Sequence, residues 1–242
     1  MPRPVPLPVF VLRPEPGASA TVAAARELGL DARAVPLFAV RALAWEPVPR
    51  AEVDALLLGS GNALRHAGPG LERYRGLPAY AVGATTAAAA RAAGLEVAAV
   101  GEGGLQSLLE RLAPEHRRLL RLAGRERVAL RIPPGIAVTT REVYASEPLP
   151  LPAELAARLG GPALVLLHSG EAAARFAQAC DAAGIERARI RLAAIGPRVA
   201  ARAGSGWAAL RSAPEPSDAA LLALAARMCQ EALSGSQLPE QG

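Results

Sequence analysis

The chain has 242 residues, of which 51% are hydrophobic, and a formal net charge of +5. All 27 basic residues are arginines, scattered without interleaved aromatics, so a nucleic-acid partner is disfavoured and a small polyanionic substrate matches the charge better. No uncharged apolar run is long enough to span a membrane, and the two cysteines have no CxxC partner. We therefore expect a soluble cytoplasmic protein with buried free thiols.

In the first half of the chain, short apolar runs alternate with segments of helical spacing. A strand is predicted over residues 8–14, a helix over 17–28 and a second extended segment over 32–43. Further strands are predicted at 54–59, 79–82, 97–100 and 118–122, and further helices at 62–67, 85–93 and 104–112. This alternation predicts parallel sheet covered by helices on both faces.

The second half begins with an atypical stretch. Residues 128–144 contain two extended segments joined by Pro133-Pro134-Gly135, a turn with no room for a helix. The strand–helix alternation then returns, with strands at 164–168 and 191–195 and helices at 152–159, 172–183, 197–203 and 217–233. The last residues, 234–242, are predicted to be a disordered tail.

Three segments of the chain are repeated about 110 residues later. ALLLGSGNALRHAG (55–68) matches ALVLLHSGEAAARF (163–176), AYAVGATTAAAARAAG (79–94) matches RLAAIGPRVAARAG (191–204), and GGLQSLLERL (103–112) matches SDAALLALAARM (217–228). A repeat of this length is typical of a duplicated α/β half. We therefore predict two similar lobes with a ligand cleft between them.

Small polar residues and one arginine follow the predicted strands in both copies, mostly where a helix begins. Parallel sheets bind ligands beyond the carboxyl ends of their strands. The predicted substrate-binding residues are Arg13, Ser60, Asn62, Gly83, Thr86, Ser169, Gly196 and Ser217. Each hydroxyl can be a helix cap alone, or can help a helix N-terminus to bind a carboxylate, and the sequence leaves both interpretations open.

The usual signatures of metal, nucleotide or covalent catalysis are missing. His66, His116 and His168 lack metal-ligand spacing, and there is no G-x-S-x-G, G-x-G-x-x-G or Walker motif. We therefore expect no cofactor, and chemistry that rests on positioning and weak acid–base help. Tyr144, at the end of the second extended segment, is either a packing residue or a proton donor.

In their order along the chain, these motifs resemble those of the uroporphyrinogen-III synthase family. The matching strings are LRP (12–14), GSGNAL (59–64), VGATTA (82–87), GGLQSLL (103–109), Val143-Tyr144, LLHS (166–169), IGP (195–197) and PSDAALL (216–222). No single string is specific, but the ordered set covers nearly the whole chain.

The resemblance implies an α/β fold of two similar parallel-sheet lobes joined by a two-stranded linker. Residues 1–37 and 148–233 would form a discontinuous first lobe, and residues 38–147 the second. The linker strands would lie near residues 35–40 and 142–146. The second lobe is expected to be trimmed after Val128, because it lacks a strand–helix unit that the family usually has there.

The resemblance also implies a reaction, the closure of linear hydroxymethylbilane to uroporphyrinogen III with inversion of the last pyrrole ring, in haem biosynthesis. Such a hydro-lyase needs no cofactor. Tyr144 would be the catalytic proton donor, and the eight residues above would bind the polycarboxylate substrate. We expect a monomer that binds neither nucleic acid nor membrane. The alternative is a non-catalytic two-lobed binding protein for a tetrapyrrole or another small polyanion.

Overall fold

A computed structural model describes residues 7–102 and 104–235. The chain divides into two compact units. Unit 1 consists of the residues up to Ala39 together with those from Pro148 onward, and unit 2 is Val40–Glu147. None of the described helices is long and apolar enough to cross a membrane.

Strands and helices alternate along most of the described chain. The strands are β1 (Val9–Val11), β2 (Ala32–Ala34), β3 (Phe38–Ala42), β4 (Ala55–Leu58), β5 (Pro78–Val82), β6 (Glu96–Gly101), β7 (Arg118–Gly124), β8 (Ala137–Pro148), β9 (Ala163–Leu167), β10 (Ile190–Ala194) and β11 (Ala209–Ser212). The helices are α1 (Gly17–Glu27), α2 (Gly61–His66), α3 (Gly83–Ala92), α4 (Leu105–Leu109), α5 (Ala153–Arg158), α6 (Gly170–Ala182), α7 (Pro197–Ala203) and α8 (Asp218–Gly235).

Several details differ from the sequence-based expectations. The segment 32–43, predicted as one extended segment, forms two strands, β2 and β3, which belong to different sheets. Residues 128–132, predicted to be extended strand, belong to an irregular connection between β7 and β8. Strand β11 was not predicted, because its four residues, ALRS, show too short a pattern to distinguish it from a loop. Residues 234 and 235, assigned to the tail, are the last residues of α8, and the rest of that predicted tail lies outside the described residues.

Unit 1 contains a parallel sheet in the order β2–β1–β9–β10–β11. Its strand residues are apolar on both faces, as expected for parallel strands buried on both sides. Helices α1 and α8 cover one face, and α5, α6 and α7 cover the other. The strand order reverses between β1 and β9, and such a switch point is where open α/β sheets bind ligands.

Unit 2 contains a sheet in the order β3–β8–β7–β4–β5–β6, in which all pairs from β8 to β6 are parallel. Helices α2 and α3 pack on one face. The other face is covered by α4 and by the connection 125–136, which contributes Leu130 and Ile136. The strand order reverses between β4 and β7, so unit 2 has a switch point of its own.

The two sheets can be aligned residue by residue through their repeated serines. Ser60 precedes α2 and Ser169 precedes α6, each three residues after a buried leucine of the preceding strand. These leucines pair across to the neighbouring strand, Leu57 with Arg121 and Leu166 with Val11. Arg121 of unit 2 therefore occupies the position that Val11 has in unit 1.

Candidate functional site

Four predicted site residues lie at strand ends of unit 1. Arg13 follows β1, Ser169 follows β9, Gly196 follows β10, and Ser217 precedes α8. Both serines cap helices, since Ser169 Oγ accepts a hydrogen bond from the Ala172 N–H at 3.1 Å and Ser217 Oγ accepts one from the Ala220 N–H at 3.2 Å. Both hydroxyls therefore cap their helices, and a role for them in substrate binding stays a prediction.

Arg13 is already paired with a carboxylate at this switch point. Its Nη1 donates to both carboxylate oxygens of Asp218, at 3.0 and 3.1 Å. Thr21 Oγ1 donates to the same carboxylate at 2.7 Å, and His168 Nε2 lies 2.9 Å from it. The hydrogen bond with His168, assisted by Thr21 and by the charge of Arg13, lowers the pKa of Asp218 to about 2. At neutral pH the charge of Arg13 is therefore largely neutralised within unit 1.

Asp218, Thr21 and His168 were not among the predicted site residues. Asp218 lies at the start of α8 and His168 directly follows β9. Both therefore lie at a helix start or a strand end, as do the residues that were predicted to bind the substrate. Nothing in the sequence shows, however, that Arg13 and Asp218, 205 positions apart, lie side by side.

The other predicted residues belong to unit 2. Ser60 caps α2 by accepting a hydrogen bond from the Asn62 N–H at 3.2 Å, and the Asn62 side-chain oxygen accepts one from Arg65 at 2.7 Å. Gly83 opens α3 with a φ of 76°, a conformation that favours glycine. The capping interpretation is wrong for Thr86, which is 5% exposed and lies inside α3, where Val82 is the N-cap residue.

A pocket of about 420 Å³ opens at the switch point of unit 2. Of the predicted site residues, Ser60 and Tyr144 line it, whereas Asn62, Gly83 and Thr86 do not. Its walls also include the end of β7, the start of α4 and the first half of the connection 125–136. The pocket is therefore formed entirely within unit 2.

The ring of Tyr144 is held against the backbone of Gly124. A Cβ atom at position 124 would lie 2.7 Å from the ring carbons Cε2 and Cζ and 3.0 Å from the hydroxyl oxygen, so only glycine leaves room for the ring. A shift in strand register between Ala123 and Gly124 brings Gly124 opposite Tyr144. The ring of His66 lies 6.2 Å away, centroid to centroid. The tyrosine is thus placed at the pocket wall by the backbone of two adjacent strands.

Arg121 is a second charged residue of the pocket, and the sequence did not point to it. It is 7% exposed, and its Nη2 donates to the Val128 carbonyl at 2.9 Å. Its Nε is buried and has no hydrogen-bond partner among the described residues. Burial, together with the nearby charge of Arg127, lowers the pKa of the Arg121 guanidinium from its usual value. The only available signal was an arginine in the interior of the strand RLLRLAG, where the residues on either side of it are leucines.

The described chain offers neither an activated thiol nor a metal-binding cluster. Cys180 and Cys229 are free and buried, as expected, and burial raises the pKa of each thiol to about 11. Within residues 7–102 and 104–235, no group of three or more His, Cys, Asp or Glu side chains could hold a metal ion.

Comparisons with known proteins agree with one another. A family model described as uroporphyrinogen-III synthase HemD matches residues 19–223. The structure of uroporphyrinogen-III synthetase from Helicobacter pylori aligns with a TM-score of 0.63 at 18% identity, covering 92% of this chain and 99% of that chain. A mutant uroporphyrinogen III synthase from Thermus thermophilus aligns with a TM-score of 0.51 at 20% identity, covering 93% and 99%. A search of curated proteins finds no significant match.

Proposed function

The chain belongs to the uroporphyrinogen-III synthase family, and from this membership we propose roles for its residues in the family's reaction. That reaction is the closure of hydroxymethylbilane, a linear tetrapyrrole, to uroporphyrinogen III in haem biosynthesis. The last pyrrole ring is inverted in the product. Overall the substrate loses one water, so we propose that the enzyme is a hydro-lyase.

We propose that Tyr144 is the general acid. As the substrate's hydroxyl leaves, the phenol proton passes to it and forms water, and the remaining methylene carbon becomes a cation stabilised by its pyrrole. The substituted carbon of the last ring attacks this cation to give a spiro intermediate. Rearrangement and loss of a proton then complete the macrocycle, and a proton returns to the phenolate. The observation that supports this role is the fixed position of the Tyr144 ring on the wall of a pocket at a switch point.

The second task of the enzyme is to hold the substrate in one geometry. Without assistance the same substrate closes without inversion, so binding must favour the transition state that leads to the inverted product. We propose that residues near strand ends bind the carboxylates of the substrate, namely Arg13, Ser60, Asn62, Gly83, Ser169, Gly196 and Ser217. Thr86 is left out because it is almost fully buried inside α3.

A coupled assay tests the reaction. Hydroxymethylbilane is supplied, and the products are separated into type I and type III uroporphyrinogen. We expect type III to predominate. Type I alone, at the rate of the enzyme-free reaction, would overturn the assignment.

Substitution of Tyr144 by Phe tests the proposed acid. We expect Tyr144→Phe to lower kcat for type III formation by about 100-fold without lowering the melting temperature. Tyr74→Phe is the matched control, because Tyr74 donates to the buried Val48 carbonyl at 2.8 Å and lies outside the pocket lining. This control should lose stability and keep its kcat. An unchanged kcat in Tyr144→Phe would remove Tyr144 from the mechanism.

A binding protein without turnover was the alternative interpretation of the sequence, and the family assignment does not favour it. The substrate class, a small tetrapyrrole, follows from the family. The monomeric state, the cytoplasmic location and the absence of nucleic-acid and membrane partners stay predictions. So does the cleft expected from the duplicated sequence.

A further inference from the structure

The two units cover equivalent faces of their sheets differently. In unit 1, α1 connects β1 to β2, and its Ala18 and Val22 pack in the same apolar cluster as Val11. In unit 2, the connection between β7 and β8 runs from residue 125 to residue 136 without a helix. Parallel neighbours are usually joined through a helix, so unit 2 lacks the element that would otherwise cover this face.

Arg121 lies on this less covered face. Its position is equivalent to that of Val11, which is fully buried in apolar surroundings. Burial of a guanidinium in an apolar core lowers the stability of the fold, unless an opposite charge or several hydrogen-bond acceptors offset the loss of hydration. Among the described residues, the acceptor of the Arg121 guanidinium is the Val128 carbonyl, which lies on the connection itself.

No side chain of the described residues supplies the missing counter-charge. Glu126 is the acidic residue of the pocket lining, but it is exposed and does not pair with Arg121. Glu142 is engaged by Arg127 at 2.6 Å. Of its described neighbours, Arg127 repels the Arg121 cation, and Tyr144 acts in the opposite direction. The pocket lining therefore carries more positive than negative charge, and the Arg121 guanidinium in its wall has a buried Nε without a hydrogen-bond partner among the described residues.

The size of the pocket limits what can enter. At about 420 Å³ it falls at the lower end of the range of small-molecule sites, about 300–1,000 Å³. Its walls include apolar side chains such as Val82, Leu105 and Leu130. A single flat ring that carries a carboxylate matches the volume, the apolar walls and the positive charge of the pocket. A whole linear tetrapyrrole is too large for it.

We propose that Arg121 anchors one carboxylate of the substrate, and that this pocket is a subsite for a single acid-bearing pyrrole ring. The proposal rests on the proposed function for the identity of the substrate. The ligand carboxylate supplies the counter-charge, and the planar guanidinium offers it more than one N–H donor. Because Tyr144 lines the same pocket, the bound carboxylate fixes the position of the adjoining ring relative to the phenol. Arg121 is thus a positioning residue.

The test compares Arg121→Met with Arg91→Met in the full-length chain. Arg91 is an exposed residue near the end of α3 and lies outside the pocket lining, so its substitution removes the same charge from the same unit. The two readouts are KM for hydroxymethylbilane and the affinity for uroporphyrin III, an octacarboxylate macrocycle whose fluorescence reports binding without turnover.

We expect Arg121→Met to raise KM and to weaken uroporphyrin III binding, each by about 10- to 100-fold, because a charge-assisted contact is lost. Its melting temperature should equal or exceed that of the wild type, since a buried unpaired charge has been removed. Arg91→Met should leave both readouts unchanged. Wild-type affinity for uroporphyrin III in Arg121→Met would overturn the proposal.

A second measurement covers the case in which Arg121→Met does not fold. In wild-type protein with ¹⁵N-labelled arginine, addition of glutarate, a small dicarboxylate, should shift the Arg121 Nε–H signal, and an unmoved signal would overturn the proposal. The assay and the binding data also separate the two claims. Absence of type III product with Arg121-dependent uroporphyrin binding removes the synthase function alone. Type III product from the wild type, together with wild-type KM and wild-type uroporphyrin III affinity in Arg121→Met, removes the subsite alone.

Discussion

Unit 1 and unit 2 each place an arginine near the point where the strand order of a parallel sheet reverses. In unit 1 the cation is Arg13, which follows β1 and is paired with Asp218. In unit 2 it is Arg121, in the body of β7, which has no carboxylate partner among the described residues. The duplicated sheets thus provide two similar positions for an anion, and local side chains decide whether the cation there is already neutralised.

The difference begins with one connection. Where α1 covers the sheet in unit 1, the equivalent position holds Val11 and the face is filled by apolar side chains. Where the connection 125–136 replaces a helix in unit 2, the position holds Arg121 and a pocket remains. The shorter crossover of unit 2 thus accompanies a charged residue at a position that is apolar in unit 1, although the strand order next to it is the same.

Among the variants that test the difference between the two units, Gly124→Ala in unit 2 is expected to have the largest effect on activity. The added Cβ atom would meet the Tyr144 ring at 2.7 Å, so the ring must move out of its place on the pocket wall. We expect kcat for type III product to fall by about 100-fold, as for loss of the acid itself. Overpacking should also lower the free energy of unfolding by about 1–3 kcal/mol.

Gly161→Ala is the control for Gly124→Ala. The nearest atom to a Cβ at position 161 is the Arg158 carbonyl oxygen at 4.0 Å, an ordinary contact, so this variant should retain both activity and stability. If Gly124→Ala has wild-type turnover, the position of the Tyr144 ring does not matter for catalysis.

Much of this molecule follows from its sequence, and the unpredicted parts share a physical reason. The strand–helix alternation and the repeat identify a duplicated α/β fold, because hydrophobic periodicity and N-terminal serines are local signals. Ser60 and Ser169 were found in this way, and both begin helices. Asp218 was missed because its partner Arg13 is distant in the sequence. Arg121 was missed because a sequence does not show that a buried charge has no carboxylate partner.

A smaller effect is expected from Asp218→Asn, which tests the ion pair between Arg13 and Asp218 in unit 1. The substitution removes the charge that engages Arg13 and His168. The Asp218 side chain is 37% exposed, so solvent weakens these contacts, and we expect a loss of about 1 kcal/mol of unfolding free energy in unit 1. Urea unfolding followed by Trp207 in a Trp45→Phe background reports this unit alone, because the chain has one tryptophan in each unit.

Asp31→Asn is the matched control, since Asp31 faces Arg33 at 3.6 Å on the surface, and it should change the stability of unit 1 little. An equal loss in both variants would show that the Asp218 contacts contribute no more than an exposed ion pair.

The smallest effect is a pH dependence that both units share. Asp218 in unit 1 and Asp54 in unit 2 each have a pKa lowered from 3.8 to about 2, Asp218 chiefly by the hydrogen bond with His168 and Asp54 by that with Arg118. A carboxylate whose pKa is lowered by folding stabilises the fold fully above its unfolded pKa, and this contribution is lost as the pH falls through the folded pKa. Stability should therefore fall from pH 4 to pH 2 in both units. In Asp218→Asn the slope should flatten for Trp207 and stay unchanged for Trp45, and in Asp54→Asn the reverse should hold. Parallel curves for variants and wild type would show that other carboxylates cause the acid sensitivity.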